Sequence, residues 1–385
     1  MDAVAARSTL RPPTWMLVAA RAVKVGQNDQ EVAVSVPPTG VQPPQLADVH
    51  AVAQRIAVNV ERVLVGKPEA VRTALVTLLA EGHLLIEDVP GVGKTSLAKA
   101  LARSIDCTVS RIQFTPDLLP SDITGVSVFD RSTGDFDFRP GPIFANVVVG
   151  DEINRASPKT QSALLECMEE HQVTVDGRSY PLSGPFMVIA TQNPIEMEGT
   201  YALPEAQRDR FTARVSLGYP DAAAELAMVD EHAADDPLAT LQPVSTAAEV
   251  TTLCQAVRLI HVATEVRRYV VDVVRATRRL PELRLGASPR ATLQLIRTSR
   301  AAAALVGREF VVPDDVQAVA PQVLSHRLIF TAEAQADRLS PEELVRGLLA
   351  RVPVPQAPAG PAPVSVDGRG DRNGVVNWHR PPRVP

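Results

Sequence analysis

The residues with the plainest chemical reading are Asp88-Val89-Pro90-Gly91-Val92-Gly93-Lys94-Thr95. Two glycines permit a backbone bend whose N–H groups converge on an anion. An amine and a hydroxyl follow at once. The next stretch, Thr95–Ser104, carries Leu97, Ala98, Leu101 and Ala102 at helical spacing. A helix tip adds fixed positive potential to such a bend. The apolar run His83–Ile86 precedes it, so strand, loop, Gly-Lys-Thr and helix occur in the order that a phosphate-binding loop needs. In that reading Lys94 bridges the β- and γ-phosphates and the Thr95 hydroxyl coordinates Mg²⁺. The candidate nucleotide contacts are Val89, Pro90, Gly91, Val92, Gly93, Lys94, Thr95 and Ser96. Asp88 stands where the strict pattern has its first glycine. The competing reading is a Gly-rich turn before an ordinary helix.

A second apolar run, Asn146–Gly150, ends in the adjacent carboxylates Asp151 and Glu152. Successive side chains on a strand point opposite ways, so the two can serve different roles. Asp151 suits the Mg²⁺ shell, and Glu152 suits a base that orients and deprotonates water. Alone, an Asp-Glu pair after valines is commonly structural. Roughly 60 residues after a phosphate loop, it points to hydrolysis. A third run, Phe186–Thr191, delivers Gln192-Asn193-Pro194, whose amide could touch the γ-phosphate or the water; an Asn-Pro turn is the alternative.

Positioning these groups requires a particular framework. The apolar runs at 83–86, 108–114, 145–150, 186–191 and 213–217 are short and separated by helical stretches. Buried strands of this kind form a parallel sheet with helices on both faces. From about residue 221 the pattern becomes helical only, over Glu249–His261, Glu265–Arg279 and Ala291–Leu305. Serine followed by proline, at Ser157, Ser288 and Ser340, marks three helix starts. Residues 1–45 and 351–385 are proline-rich without periodicity, so both ends are expected to be disordered. The expected organisation is therefore a tail (1–45), an α/β nucleotide-binding domain (46–220), an all-α domain (221–350) and a second tail (351–385).

The chain has 385 residues, a length that suits two folded units. A net charge of −5 argues against a surface devoted to nucleic acid, and 4% aromatics argue against base-stacking platforms. The cysteines Cys107, Cys167 and Cys254 form no C-x-x-C pair, and no H-E-x-x-H run is present. The apolar run Trp15–Ala20 is far below the ~18 residues of a membrane span. A cytoplasmic protein without a membrane span is the expectation.

Five ordered stretches make the pattern recognisable. They are Ile112–Pro120, Gly150–Ala156, Ala190–Glu196, Leu203–Gln207 with Asp209-Arg210-Phe211, and Gly286–Ala291. Residues 60–350 resemble an AAA+ ATPase, and closely the MoxR family. The resemblance implies a P-loop AAA+ core: a parallel five-stranded sheet with helices on both faces and hairpin insertions, then a small all-α lid. It implies ATP and Mg²⁺ as ligands, with Lys94 and Thr95 as Walker A, Asp151 and Glu152 as Walker B, and Asn193 as sensor 1. Arg290 resembles sensor 2, reaching ATP on its own subunit. Arg210 resembles the arginine finger, reaching a neighbour's γ-phosphate. Arginine suits both because it is always charged and forks onto phosphate oxygens. The alternative for Arg210 is a surface pair with Glu205 or Asp209; Arg208 is the rival finger, and Arg155 a weaker interface candidate. A carboxylate at Asp88, where the family usually keeps a small residue, is unfavourable beside phosphate unless it turns away. Two insertions, Val126–Phe138 through Asp130–Gly134 and Val173–Leu182 through Asp176-Gly177, read as hairpins.

The resemblance implies a homo-oligomeric ring, a hexamer, with chaperone-like remodelling of protein partners, typically ones carrying a von Willebrand factor A domain. The alternatives are a DNA-dependent motor, a metal-chelatase motor subunit, a GTPase, and a scaffold that holds nucleotide without turnover. No Asn-Lys-x-Asp run reads guanine, and the presence of Glu152 and Arg210 disfavours the scaffold.

Overall fold

The computed structural model describes residues 46–89, 91–192, 201, 203–220, 222, 225 and 237–355. Both expected tails lie outside the described residues, apart from the short stretch 351–355, as do Pro90 and Asn193.

Two helices, α1 (Leu46–Glu61) and α2 (Pro68–Leu79), precede β1 (Leu84–Glu87). The phosphate loop joins β1 to α3 (Lys94–Ser104), which leads to β2 (Val109–Gln113). A short helix α4 (Pro120–Thr124) opens the hairpin β3 (Gly125–Asp130) and β4 (Asp135–Pro140). Next come β5 (Val147–Asp151), α5 (Pro158–Glu170), the hairpin β6 (Gln172–Val175) and β7 (Arg178–Pro181), and β8 (Met187–Gln192). A one-turn helix α6 (Glu205–Arg208) then leads into β9 (Ala213–Val215). The five central strands form one parallel sheet in the order β2-β5-β8-β1-β9. Both hairpins form where the sequence places them.

The strands are continuously apolar because both faces of the sheet are covered. Leu84, Ile86, Val147, Val149, Met187 and Ile189 pack into one core with α1–α3 and the C-terminal helices. Leu85, Val148, Val188 and Ala190 face the other core, with Leu164 and Leu165 of α5. The period of two along each strand sorts its residues between the two.

After residue 237 the chain is mainly helical, as the spacing predicts. It is not helical only. A two-stranded antiparallel sheet pairs β10 (Leu283–Leu285) with β11 (Ile329–Phe330). Strands of three and two residues are too short to register as an alternating pattern. The three Ser-Pro starts hold: Ser157, Ser288 and Ser340 accept backbone N–H bonds from Thr160, from Arg290 and Ala291, and from Glu343. Ser288 opens the helix Pro289–Leu305, whose Ala291, Leu295 and Ala301–Ala304 lie in the core shared with α1–α3.

Candidate functional site

Beyond the C-terminal ends of β1 and β5 lies a cavity of about 760 Å³. Its floor is the phosphate loop. Gly91 and Gly93 have φ of +84° and +91°, a left-handed backbone that suits glycine. A Cβ on Gly91 would meet no protein atom within 4 Å, so the space it would fill belongs to the cavity. Gly93 caps α3, whose first residues Lys94, Thr95 and Ser96 line the same space. The Lys94 ammonium donates to the Asp88 carbonyl at 2.6 Å.

Asp88 does not face the cavity. Its buried carboxylate accepts N–H bonds from Val89 at 2.9 Å, from Gly218 at 2.7 Å and from Leu217, and the Ser216 hydroxyl at 3.1 Å. The residue in the place of the pattern's first glycine therefore fastens the loop to the chain leaving β9. The carboxylate has turned away, as a site for phosphate requires.

Asp151 ends β5 and is 7% exposed. Its Oδ1 accepts from the Thr191 hydroxyl at 3.3 Å, and its Oδ2 lies 3.5 Å from Thr95 Oγ1. Glu152 follows in a left-handed conformation (φ 59°, ψ 50°), rare for a side chain of this size, and its N–H donates to Thr191 Oγ1 at 3.0 Å. The turn swings the Glu152 carboxylate to Gln113 Nε2 at 3.1 Å and Arg155 Nε at 3.2 Å. Arg111 enters from β2, with its Nε 2.6 Å from Asp151 Oδ2. Arg111 lies outside the recognisable stretches, and Gln113 lies inside Ile112–Pro120 without an assigned role, because both act across a strand pair. The available signal was two polar side chains two residues apart, on one face of a strand beside β5.

Two protein oxygens, Thr95 Oγ1 and Asp151 Oδ2, suit a hard divalent cation that takes its remaining ligands from water and phosphate. Among the described residues no cluster of three or more His, Cys, Asp or Glu forms a complete metal cage. Thr95 and Asp151 are oxygen donors of the kind that would hold Mg²⁺ together with a nucleotide, with Arg111 beside the same carboxylate. Val63, Leu64, Pro220 and Leu238 make part of the cavity lining apolar. Pro90 and Asn193 belong to this neighbourhood by sequence but lie outside the described residues.

Arg210 and Arg290 sit elsewhere. Ala213, the first residue of β9, pairs with Leu84, the first residue of β1. Arg210 precedes β9, so it lies at the N-terminal edge of the sheet, whereas the phosphate loop leaves the C-terminal edge. At roughly 3.3 Å per residue, four residues of β1 hold these edges more than ~10 Å apart. Arg210 Nε lies 3.2 Å from Glu169 Oε2. It does not pair with Glu205 or Asp209, which are bound by Arg284 and Arg327. Arg290 pairs with the other oxygen of the same Glu169 carboxylate and has Asp209 Oδ2 at 3.9 Å. Arg208 has a buried Nε without a hydrogen-bond partner among the described residues.

The resemblance implies that Arg290 reaches nucleotide on its own subunit; in this structure its side chain stands apart from the phosphate loop. Arg290 lines a second cavity of about 240 Å³ together with Arg210 and is absent from the walls of the phosphate-loop cavity. The reason is local. The Ser288 hydroxyl donates to Asp209 at 2.8 Å, which pins the start of the Pro289–Leu305 helix beside the segment carrying Arg210. His83 closes the floor of this second cavity. Its Nδ1 accepts the Val188 N–H and its Nε2 donates to the Met168 carbonyl, both at 3.0 Å. Burial lowers its pKa to about 4.

Comparison with known proteins agrees with this architecture. A profile described as "ATPase family associated with various cellular activities (AAA)" matches residues 83–213, and an "AAA lid domain" profile matches residues 275–348. The chain is 42% identical to "Chaperone MoxR1" of Mycobacterium tuberculosis, over 87% of this chain and 90% of that protein. It is 47% identical to "Uncharacterized protein YeaC" of Bacillus subtilis, over 80% and 96% of the two chains. "Protein MoxR" of Paracoccus denitrificans is 31% identical over 81% and 99%. A crystal structure of a candidate ATPase from Cytophaga hutchinsonii superposes with a TM-score of 0.75 at 36% identity, covering 81% of this chain and 97% of that one.

Proposed function

This chain is a member of the MoxR family of AAA+ ATPases, and from that membership we propose that it hydrolyses ATP between subunits of a homo-oligomeric ring. The observation that carries the proposal is the separation of the two functional edges. The phosphate loop and both acids stand at one end of the sheet, and Arg210 and Arg290 stand at the other. In this single chain they stand apart. Two chains, edge to edge, can bring them together around one phosphate.

The roles follow from the groups present. The backbone around Gly91 and Gly93 and the Lys94 ammonium bind the phosphates. Thr95 and Asp151 hold Mg²⁺, which when bound neutralises phosphate charge. Glu152 takes a proton from the attacking water on its carboxylate, and Asn193 orients that water. The neighbour's Arg210 and Arg290 meet the charge that develops on the γ-phosphate. Glu169, 39% exposed, holds both arginines in a contact of the kind worth ~0–1 kcal/mol, so a phosphate displaces it readily.

The turnover drives remodelling of a protein client, and a partner with a von Willebrand factor A domain is the class that we propose. The β3–β4 hairpin suits contact with a client. Phe129 and Phe136 at its end are 51% and 63% exposed, with ring centres 5.3 Å apart. The ring is proposed to be a hexamer. The three cysteines, free in this structure, fit a reducing compartment such as the cytoplasm. Among the described residues no helix is long and apolar enough to cross a membrane.

The test is Glu152→Gln in the full-length chain. Phosphate release with Mg-ATP should fall by at least ~100-fold, while ATP stays bound. Near-normal hydrolysis would remove Glu152 as the base.

A further inference from the structure

The segment Asp209-Arg210-Phe211 is gripped from the C-terminal helical region. Arg327 lies on the turn Ser325–Arg327, and its side chain is 2% exposed. Its Nε donates to Asp209 Oδ1 at 2.9 Å. One terminal nitrogen donates to the Asp209 carbonyl at 3.1 Å, to the Phe211 carbonyl and to Gln294 Oε1. The other donates to the Thr212 carbonyl at 3.3 Å and to the Val323 carbonyl. Ser288 Oγ adds a bond to the second Asp209 oxygen, and the His326 ring to the Phe211 carbonyl at 3.0 Å. The residues on both sides of Arg210 are therefore fixed from one direction.

A buried guanidinium carries a large desolvation cost, and an apolar side chain of similar volume serves a core at least as well. Arginine is suited to a place where a planar fork must satisfy several oxygens in set positions. Here four of the six oxygens belong to Asp209, Phe211 and Thr212, the segment that carries Arg210. We infer that Arg327 is a positioning residue for Arg210: it fixes the backbone from which the Arg210 guanidinium projects, and so aims that guanidinium at the adjoining subunit. Through this contact the helical lid sets the geometry of a site on another chain. The inference rests on the proposed role of Arg210 in trans.

The test compares Arg327→Lys, Ser288→Ala and Arg210→Ala in full-length protein with Mg-ATP. Arg327→Lys keeps the charge but loses the fork. Its kcat should fall by about tenfold or more, with ATP affinity within about twofold of the parent, because its own phosphate loop is intact. Ser288→Ala removes one donor to Asp209 and should show a smaller loss in the same direction; it serves if Arg327→Lys fails to fold. Each variant is then mixed with Lys94→Ala chains, which keep an intact Arg327 and Arg210. Mixing should restore part of the activity lost in Arg327→Lys, as it does for Arg210→Ala. A defect spread through the fold would weaken ATP binding and resist rescue. Unchanged kcat in both folded variants overturns the inference, as does rescue of Arg210→Ala without rescue of Arg327→Lys. Failure to rescue Arg210→Ala itself, with assemblies intact, overturns the trans role of Arg210 instead.

Discussion

At the C-terminal edge of the sheet each functional group arrives on the strand or helix that its own motif builds. Lys94 and Thr95 open α3 straight after β1, and Asp151 is the last residue of β5. At the N-terminal edge the groups come from distant parts of the chain. Arg210 precedes β9, Arg290 opens the lid helix Pro289–Leu305, and Glu169 from α5 holds both. The first edge offers an open loop and a helix start, the shape proposed to take phosphate. The second is a pair of charges kept on a half-exposed carboxylate. If the proposed function holds, binding and activation are separable: one is local to a chain, and the other awaits a second surface.

The largest test of that contrast is kinetic. Arg210→Ala should lower kcat by ~10³-fold and leave nucleotide affinity nearly intact, whereas Lys94→Ala should abolish binding itself. Equilibrium binding with a fluorescent ATP analogue, beside steady-state phosphate release, separates the two. A comparable loss of affinity in both variants would merge the two edges into one site.

A smaller effect sharpens the picture at the phosphate edge. Asp88→Ala leaves the N–H groups of Val89, Leu217 and Gly218, that of Leu217 buried, without their acceptor. Stability should fall by about 1–3 kcal/mol, and Asp88→Gly should fare no better despite matching the glycine of the loop pattern. Urea unfolding midpoints check this. Equal stability of the Gly variant and the parent would show that the carboxylate is dispensable.

An effect of similar size belongs to the arginine edge and depends on pH. His83 is buried neutral, with its pKa lowered from 6.5 to about 4, chiefly by burial. The unfolded chain takes up this proton at higher pH than the folded one. The stabilisation is therefore complete above about pH 6.5 and drains away as pH falls toward 4, by at most roughly 3 kcal/mol. Thermal unfolding between pH 7.5 and 5 should show the loss, and His83→Gln should flatten the slope. An identical slope in that variant would assign the acid sensitivity to other groups, such as the buried His326, whose pKa burial also lowers.

The two edges also differ in how legible they are in the sequence. The phosphate loop, the paired acids, the strand runs and both hairpins are contiguous patterns, and the structure forms each where the residues place it. The Asp88 clamp is not contiguous, because its partners lie 128–130 residues away. Arg111 acts across a strand pair, and Glu169 sits in a helix whose polar positions carry no signature. Arg327 reads as one charged residue near the end of a helix until tertiary packing surrounds it with carbonyls. Arg290 carries a recognisable motif, yet its direction depends on where Ser288 and Asp209 meet. Local geometry is written in neighbouring residues; the aim of a side chain across the molecule is not.

The proposed working site needs the phosphate edge of one chain and the arginine edge of another. Mixing Lys94→Ala with Arg210→Ala chains tests it most directly, since each is inactive alone and each supplies what the other lacks. Phosphate release should reappear in the mixture and peak near equal proportions. Mixtures that assemble but stay as inactive as their components would contradict the account.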